Sequence, residues 1–234
     1  RTPAGLPFVR TPEHRFANLT EAGFPFEPHY HLDEEEQLRV HYVDEGARDA
    51  REVLLLLHGE PTWSFLYRTM IPVFVARGFR VVAPDLVGFG RSDKPLSLGE
   101  HTYAKHVART KRFVRAVLGA ECAAGQITLV AQDWGAVLGL RVVADEPAWF
   151  ARVAVVNGRL PVLPADGANA FADATDGGSL LDCGETRTVA DVARGRGARA
   201  ARGACPTGDP TCFSDWIAYA RAVPRFDAGA AVQV

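Results

Sequence analysis

The sequence has few cysteines, and their spacing does not form a pattern typical of a metal site. The four are Cys122, Cys183, Cys205 and Cys212. None has CxxC spacing or a histidine close by, so no zinc site is predicted, and no other metal or cofactor is expected. Free thiols are the favoured interpretation, but a disulfide between Cys205 and Cys212, which share a turn-rich stretch, stays open.

Long apolar runs and a strong net charge are also lacking. No run approaches the roughly 18 apolar residues of a membrane span, and residues 1–14 are too polar for a signal peptide. The net charge of -2 indicates no polyanionic partner. The arginines of residues 194–202 lack the interleaved aromatic residues of a nucleic-acid site. A soluble, cytoplasmic and monomeric protein is therefore expected, with neither nucleic acid nor membrane as a partner.

Between residues 50 and 157 the sequence alternates between strand and helix patterns. Continuous apolar runs predict buried strands at residues 53–57, 79–83, 126–132 and 153–156. Helical spacing of apolar residues predicts helices at residues 65–75 and 103–118 and again after residue 135. This alternation predicts an α/β fold with a doubly wound, mostly parallel sheet, which binds ligands at the carboxyl ends of its strands.

The two ends of the chain differ from this central region. Residues 1–37 predict an ordered surface arm with a solvated acidic run at residues 33–36, and residues 38–43 alternate as a half-buried strand would. Residues 1–157 are assigned to the core. Residues 158–234 are assigned to a partial helical cap, with a low-complexity insertion at about residues 164–210 that has too few large apolar residues to offset its ordering entropy.

The chain is organised around Asp133, which follows an apolar strand and precedes a helix. A strand, a sharp turn and a helix make a nucleophile elbow, and Asp133 stands where serine or cysteine is usual. An ionised aspartate can displace a leaving group from saturated carbon and form an alkyl ester. The backbone N–H groups of Trp134 and Glu60 would form the oxyanion hole, and the donor-only indole of Trp134 suits a departing anion.

Three motifs together resemble the haloalkane dehalogenases of the α/β-hydrolase superfamily. They are His-Gly-Glu-Pro-Thr-Trp at residues 58–63, Pro-Asp-Leu-Val-Gly-Phe-Gly-Arg-Ser-Asp-Lys-Pro at residues 84–95, and Gln-Asp-Trp-Gly at residues 132–135. The resemblance implies that Asp133 is the nucleophile and that Trp134 and Trp216 bind halide. It also implies that Glu60 helps to shape the nucleophile and water site. The expected partners are a small halogenated hydrocarbon, water and a halide ion.

Each of these roles has a structural alternative. Asp133 could cap the following helix, Trp134 could be a packing residue, and Trp216 could be a core aromatic of an amphipathic helix. His58 is interpreted as a structural histidine that supports its loop. Asp85 is interpreted as a carboxylate that braces a loop, not as a catalytic acid.

The histidine that this chemistry needs after the nucleophile is lacking. All seven histidines precede Asp133, whereas the acid and histidine of this fold follow the nucleophile in the chain. The expectation is a C-terminally truncated chain that lacks the last strands of the sheet and forms an alkyl ester without hydrolysing it. A fragment or an incorrect gene model is favoured over a genuine degenerate protein. The alternatives in function are an epoxide hydrolase and a catalytically dead hydrolase-fold binding protein.

Overall fold

The computed structural model describes residues 1–158 and two short segments, residues 186–188 and 231–233. The strands are β1 (Phe8–Val9), β2 (His29–Leu32), β3 (Arg39–Glu45), β4 (Val53–Leu57), β5 (Arg80–Pro84), β6 (Lys94–Pro95), β7 (Ile127–Gln132), β8 (Phe150–Val156), β9 (Thr186–Thr188) and β10 (Ala231–Gln233). The α-helices are α1 (Met70–Val75), α2 (Tyr103–Val117), α3 (Gly119–Ala124) and α4 (Trp134–Asp145). Single 3-10 turns lie at Glu13–Phe16, Ser64–Tyr67, Leu98–Glu100 and Pro147–Trp149.

Eight strands form one sheet in the order β2-β3-β5-β4-β7-β8-β10-β9. The central strands β5, β4, β7 and β8 are parallel to one another, whereas β2 and β3 are antiparallel to their neighbours. The mostly parallel α/β sheet that the sequence predicts is confirmed. Because the chain crosses from β5 on one side of β4 to β7 on the other, the carboxyl ends of β4, β5 and β7 meet at one edge of the sheet.

The sheet separates two apolar layers. In β4 the side chains alternate, so that Leu55 and Leu57 join the layer of α2 and α4, while Leu54 and Leu56 join the layer of α1. All five residues of β4 are buried. A strand covered by helices on both faces is a continuous run of apolar residues, and for this reason β4 could be predicted from the sequence.

The N-terminal arm is more firmly built into the fold than the sequence predicts. Strand β2 pairs with β3 at the edge of the main sheet, and β1 pairs with β6. Phe24 is 2% exposed and packs beside Trp63 and Phe65. The arm thus supplies a strand and a core residue, and its description as a surface arm was wrong in this respect.

The acidic run at residues 33–36 is not simply a solvated charge run. Asp33 is 3% exposed and accepts hydrogen bonds from the backbone N–H groups of Glu35 and Glu36 and from Arg112 Nε. Glu36 pairs with Arg109 of α2 at 2.6 Å. Spacing along the run cannot reveal this, because both arginines lie more than seventy positions further along the chain.

Three local predictions also need correction. The helix expected at residues 65–75 is divided into the Ser64–Tyr67 turn and α1. Residues 39–45 form a strand as expected, but its burial does not alternate, because both faces are largely covered. The sequence predicts no strand after β8, whereas the backbone of β10 pairs with β8 and that of β9 with β10.

Two smaller expectations can be compared with the described residues. Cys122 is a free, buried thiol, as predicted, and burial raises its pKa to about 11. The other cysteines lie outside the described residues. Within the part of the chain that the structure describes, no helix is long and apolar enough to cross a membrane.

Candidate active site

Asp133 lies between β7 and α4 in a backbone conformation that residues with a side chain rarely adopt. Its φ is 53° and its ψ is -123°. Its side chain makes no capping hydrogen bond to α4, whose first turn instead uses the Asp133 carbonyl as acceptor. The capping alternative therefore has no support from the geometry. A strained turn held by a buried strand and a helix lifts the carboxylate out of the sheet edge, as in a nucleophile elbow.

The loop after β4 holds one oxygen of this carboxylate. The Glu60 backbone N–H donates a hydrogen bond to Asp133 Oδ1 at 3.0 Å. Gly59 allows this approach, because a Cβ there would collide with Cβ, Cγ and Oδ1 of Asp133. The Glu60–Pro61 peptide bond is cis. The hydrogen bond from the Glu60 N–H tethers Oδ1, whereas Oδ2 accepts no hydrogen bond from the described residues.

A second glycine lets α4 approach the same loop. A Cβ on Gly135 would collide with the carbonyl oxygens of Leu57 and His58. Gly139, one turn later, packs against Leu129, whose side chain would have to shift to admit a methyl group. In the Asp-Trp-Gly sequence of the elbow, the glycine therefore allows α4 to pack closely against the loop after β4, and the aspartate lies at the edge of the sheet.

Both ring nitrogens of His58 are engaged in hydrogen bonds. Its Nε2 accepts from the Leu86 backbone N–H at 2.9 Å, so Nδ1 carries the proton and donates to the Gly59 carbonyl at 2.9 Å. Burial lowers the pKa of His58 and keeps the ring neutral. These contacts are those of a structural histidine that joins the loops after β4 and β5, as the sequence interpretation proposed.

Asp85 directly follows β5 and is fully buried. It accepts hydrogen bonds from His41 Nδ1 at 2.8 Å and from the backbone N–H groups of Ser64 at 2.9 Å and Arg91 at 2.8 Å. Burial alone would raise its pKa, but these hydrogen bonds outweigh that effect and lower it. A carboxylate with its lone pairs engaged in this way braces its loop, in agreement with the sequence interpretation.

A cavity of about 470 Å³ opens beside the elbow. Gly59, Glu60 and Trp134 line one side of it, and Leu86, Phe89 and Leu138 contribute apolar walls. The Trp134 side chain is 41% exposed, so it is not an ordinary core residue. Of the four site residues predicted from the sequence, Glu60 and Trp134 line this cavity, and Asp133 is joined to it by the hydrogen bond from the Glu60 N–H. Trp216, the predicted second halide ligand, lies outside the described residues.

The sequence analysis missed three residues of this cavity. His101, Tyr103 and His106 complete its wall. They come from the beginning of α2 and the turn before it, outside the three motifs. The available signal was the placement of Tyr103 and His106 three positions apart, which puts them on one face of the helix. Among the described residues, no group of three or more His, Cys, Asp or Glu side chains could hold a metal ion.

Comparison with protein-family models shows the fold family of the chain. The family model of the alpha/beta hydrolase fold matches residues 52–182, which is more than half of the chain. The chain belongs to the α/β-hydrolase fold family.

Within that family, the similarity is to haloalkane dehalogenases. The chain is 52% identical over 159 residues to a haloalkane dehalogenase of Psychrobacter cryohalolentis, covering 67% of this chain and 50% of the relative. Haloalkane dehalogenase DpaA of Paraglaciecola agarilytica superposes with a TM-score of 0.62 at 39% identity, over 76% of this chain and 59% of DpaA. DpaA is a tetramer, which does not match the monomer that the sequence suggests.

A more distant likeness is to epoxide hydrolases. The epoxide hydrolase VrEH1 of Vigna radiata has a TM-score of 0.50 and 29% identity, over 56% of this chain and 38% of VrEH1.

The chain spans about half the length of the curated relatives it matches.

Proposed function

We propose that this chain carries the nucleophilic half of a hydrolytic dehalogenation, in which a small haloalkane is converted to an alcohol and a halide ion through an aspartyl-alkyl ester. The observation that supports it most is the Asp133 carboxylate, held by the N–H of Glu60, which lines a cavity together with Trp134. The similarity to haloalkane dehalogenases supports the same reaction. No cofactor is part of the proposal.

The first step is a displacement at saturated carbon. Asp133 Oδ2 supplies an electron pair to the carbon that bears the halogen, while the carbon–halogen bond breaks and its electron pair leaves with the halide. No proton moves in this step, so an ionised carboxylate needs no base. The Trp134 indole N–H is the proposed donor to the departing halide, because a donor without acceptor capacity favours an anion.

The second step is attack of water on the ester carbonyl carbon. The tethered Oδ1 becomes the carbonyl oxygen, and the Glu60 and Trp134 backbone N–H groups would stabilise the charge that develops on it. A general base must take a proton from the water. Residues 134–234 contain no histidine, and the two imidazoles beside the cavity, His101 and His106, belong to α2 and the turn before it. In the 234-residue chain the ester should therefore accumulate.

Halide release tests both steps. The chain is mixed with 1,2-dibromoethane, and the bromide released per chain is followed with time. The expected result is a burst of about one equivalent, because each chain reacts once and stays alkylated; Asp133→Asn should abolish the burst. Absence of the burst in folded protein would favour a binding protein without chemistry. Sustained turnover would overturn the argument that the chain lacks a base.

The epoxide-hydrolase alternative has weaker support. That family uses two cap tyrosines to activate the epoxide oxygen, and Tyr219, which is outside the described residues, is the only tyrosine after Asp133 in the sequence. An indole beside the nucleophile suits a leaving halide better than an epoxide oxygen, which stays attached to the substrate. Exposure to styrene oxide separates the two, since the proposal predicts no alkylation by the epoxide.

A further inference from the structure

One side of the cavity beside Asp133 is more polar than the rest. His101 precedes α2, while Tyr103 and His106 lie in its first turns, and all three side chains line the cavity. The two imidazole rings lie 5.8 Å apart between centroids with an interplanar angle of 35°. The neighbouring walls are the apolar side chains of Leu86, Phe89 and Leu138. The two imidazoles are therefore a local hydrogen-bonding patch in a mainly apolar space.

The ring of His101 is held in a defined orientation. Its Nε2 lies 2.8 Å from the Pro95 carbonyl oxygen. Because a carbonyl oxygen accepts and does not donate, Nε2 carries a proton. In the neutral ring Nδ1 is then an acceptor. Gly88 lies beside the ring, since a Cβ built on it would lie 3.2 Å from His101 Cε1. The hydrogen bond to the Pro95 carbonyl orients this ring in the cavity wall.

His106 is a neutral imidazole at ordinary pH. Burial, then the positive charge of Arg109 and then His101, lower its pKa to about 4. A neutral imidazole has one N–H donor and one acceptor nitrogen. The neighbouring Tyr103 hydroxyl is already engaged, because it donates to the Val137 carbonyl at 3.3 Å. The imidazoles, not the phenol, are the groups suited to receive a polar substituent.

We infer that His101 and His106 are specificity-determining residues, and that they favour haloalkanes whose carbon chain also carries a hydroxyl group. A hydroxyl both donates and accepts, so it matches an imidazole pair that offers both functions. An all-carbon chain in the same place would displace water from the imidazoles without replacing its hydrogen bonds, which costs free energy. This inference rests on the proposed displacement by Asp133.

A pair of substrates of equal size isolates the hydroxyl contribution. 3-Bromo-1-propanol and 1-bromobutane have the same number of heavy atoms and differ in the exchange of a terminal methyl group for a hydroxyl. Intact-mass spectrometry of the protein as a function of time and concentration gives the rate constant of ester formation for each. The ratio of the two rate constants measures selectivity and is independent of the later hydrolysis.

The variants compare loss and retention of hydrogen bonding at one position. His106→Leu should lower the ratio of bromopropanol to bromobutane roughly fivefold, the effect of one net hydrogen bond, and His106→Gln should keep it within about twofold. His101→Leu is a second variant on the same patch. His14→Leu, the same exchange at an exposed histidine outside the cavity wall, is the matched control and should leave the ratio unchanged. Circular dichroism establishes that each variant is folded.

The outcomes separate the inference from the proposed function. Adducts from both compounds, with a ratio that does not change in His106→Leu or His101→Leu, would overturn the inference and leave the displacement by Asp133 standing. Failure of both compounds to alkylate the folded chain would overturn the proposed function and the inference with it. A ratio that falls in both leucine variants but not in His14→Leu supports the inference.

Discussion

Asp85 and Asp133 follow β5 and β7, the two strands that flank β4, and lie at the same edge of the sheet, yet their surroundings are opposite. Asp85 is fully buried, and three hydrogen bonds engage its carboxylate. Asp133 is partly exposed on a strained turn, and within the described residues the Glu60 N–H is the donor recorded for its carboxylate. Residue type and position at the edge do not distinguish these two aspartates. The number of donors around each carboxylate does.

The hydrogen bonds of Asp85 help to hold the loops around Asp133 in place. The Asp85 carboxylate fixes the loop after β5, since it ties Ser64, Arg91 and His41 to one point. That loop supplies Leu86 to the cavity and, through the Leu86 N–H, orients His58 under the loop of Glu60. A carboxylate with three hydrogen bonds thus supports the placement of the proposed nucleophile, which accepts one hydrogen bond from the described residues.

The largest expected effect is on stability, and substitutions at Asp85 and Asp133 test whether the two carboxylates differ as described. Asp85→Asn removes a buried charge from its donors and should lower the free energy of unfolding by about 3–5 kcal/mol. Asp133→Gly should instead raise it by about 1 kcal/mol, because glycine relieves the positive φ. Urea unfolding monitored by tryptophan fluorescence measures both. Equal destabilisation by the two substitutions would contradict the division of roles.

The next effect concerns the close approach of the loop after β4 to the Asp133 carboxylate. Gly59→Ala places a methyl group against the Asp133 carboxylate and should slow ester formation by about 100-fold, as expected for a nucleophile displaced by about 1 Å. Gly119→Ala is the matched control, because that position is open and has an ordinary backbone. A Gly59→Ala variant that reacts as fast as the Gly119→Ala variant would show that the close approach is not needed.

A third effect is a pH dependence of stability, which extends the contrast to histidine and aspartate. The pKa of His106 is lowered to about 4 and that of His58 is also lowered, in both cases chiefly by burial. An unfolded histidine binds a proton below about pH 6.5. Between about pH 6.5 and pH 4 the unfolded chain therefore binds more protons than the folded one, and stability falls as pH falls, by at most about 1.4 kcal/mol per pH unit for each histidine.

His106→Gln removes one of these contributions. The variant should lose less stability than the wild type between pH 6.5 and pH 4, as measured by urea midpoints at each pH. The stabilising effect of Asp85 has the opposite chemical origin, because its lowered pKa keeps it ionised, and this contribution is lost below about pH 4. A wild-type protein whose midpoint is constant from pH 6.5 to pH 4 would contradict the histidine account.

The sequence predicted what depends on local pattern. The buried strands β4, β5, β7 and β8 appear as apolar runs because helices cover both faces of the sheet, and the elbow appears as a carboxylate between a strand and a helix. Trp134 and the Glu60 loop do line one cavity, and the Glu60 N–H binds the predicted nucleophile. Their catalytic roles stay predictions.

What the sequence did not predict depends on contacts between distant segments. The burial of Asp33 requires Arg112 of α2, and the burial of Phe24 requires aromatic residues of the loop after β4. His101 and His106 enter the cavity because α2 packs beside α4, which no local periodicity encodes. The number of hydrogen bonds that each carboxylate accepts likewise distinguishes Asp85 from Asp133. This number depends on how the strands and loops are assembled.

The central claim is that Asp133, and not Asp85 or another carboxylate, becomes alkylated. The most direct measurement is peptide mapping by tandem mass spectrometry after the folded chain has reacted with 1-bromobutane. The account predicts one butyl group per chain, located on Asp133 and absent from Asp133→Asn. A butyl group on any other residue, or alkylation that persists in Asp133→Asn, would contradict it.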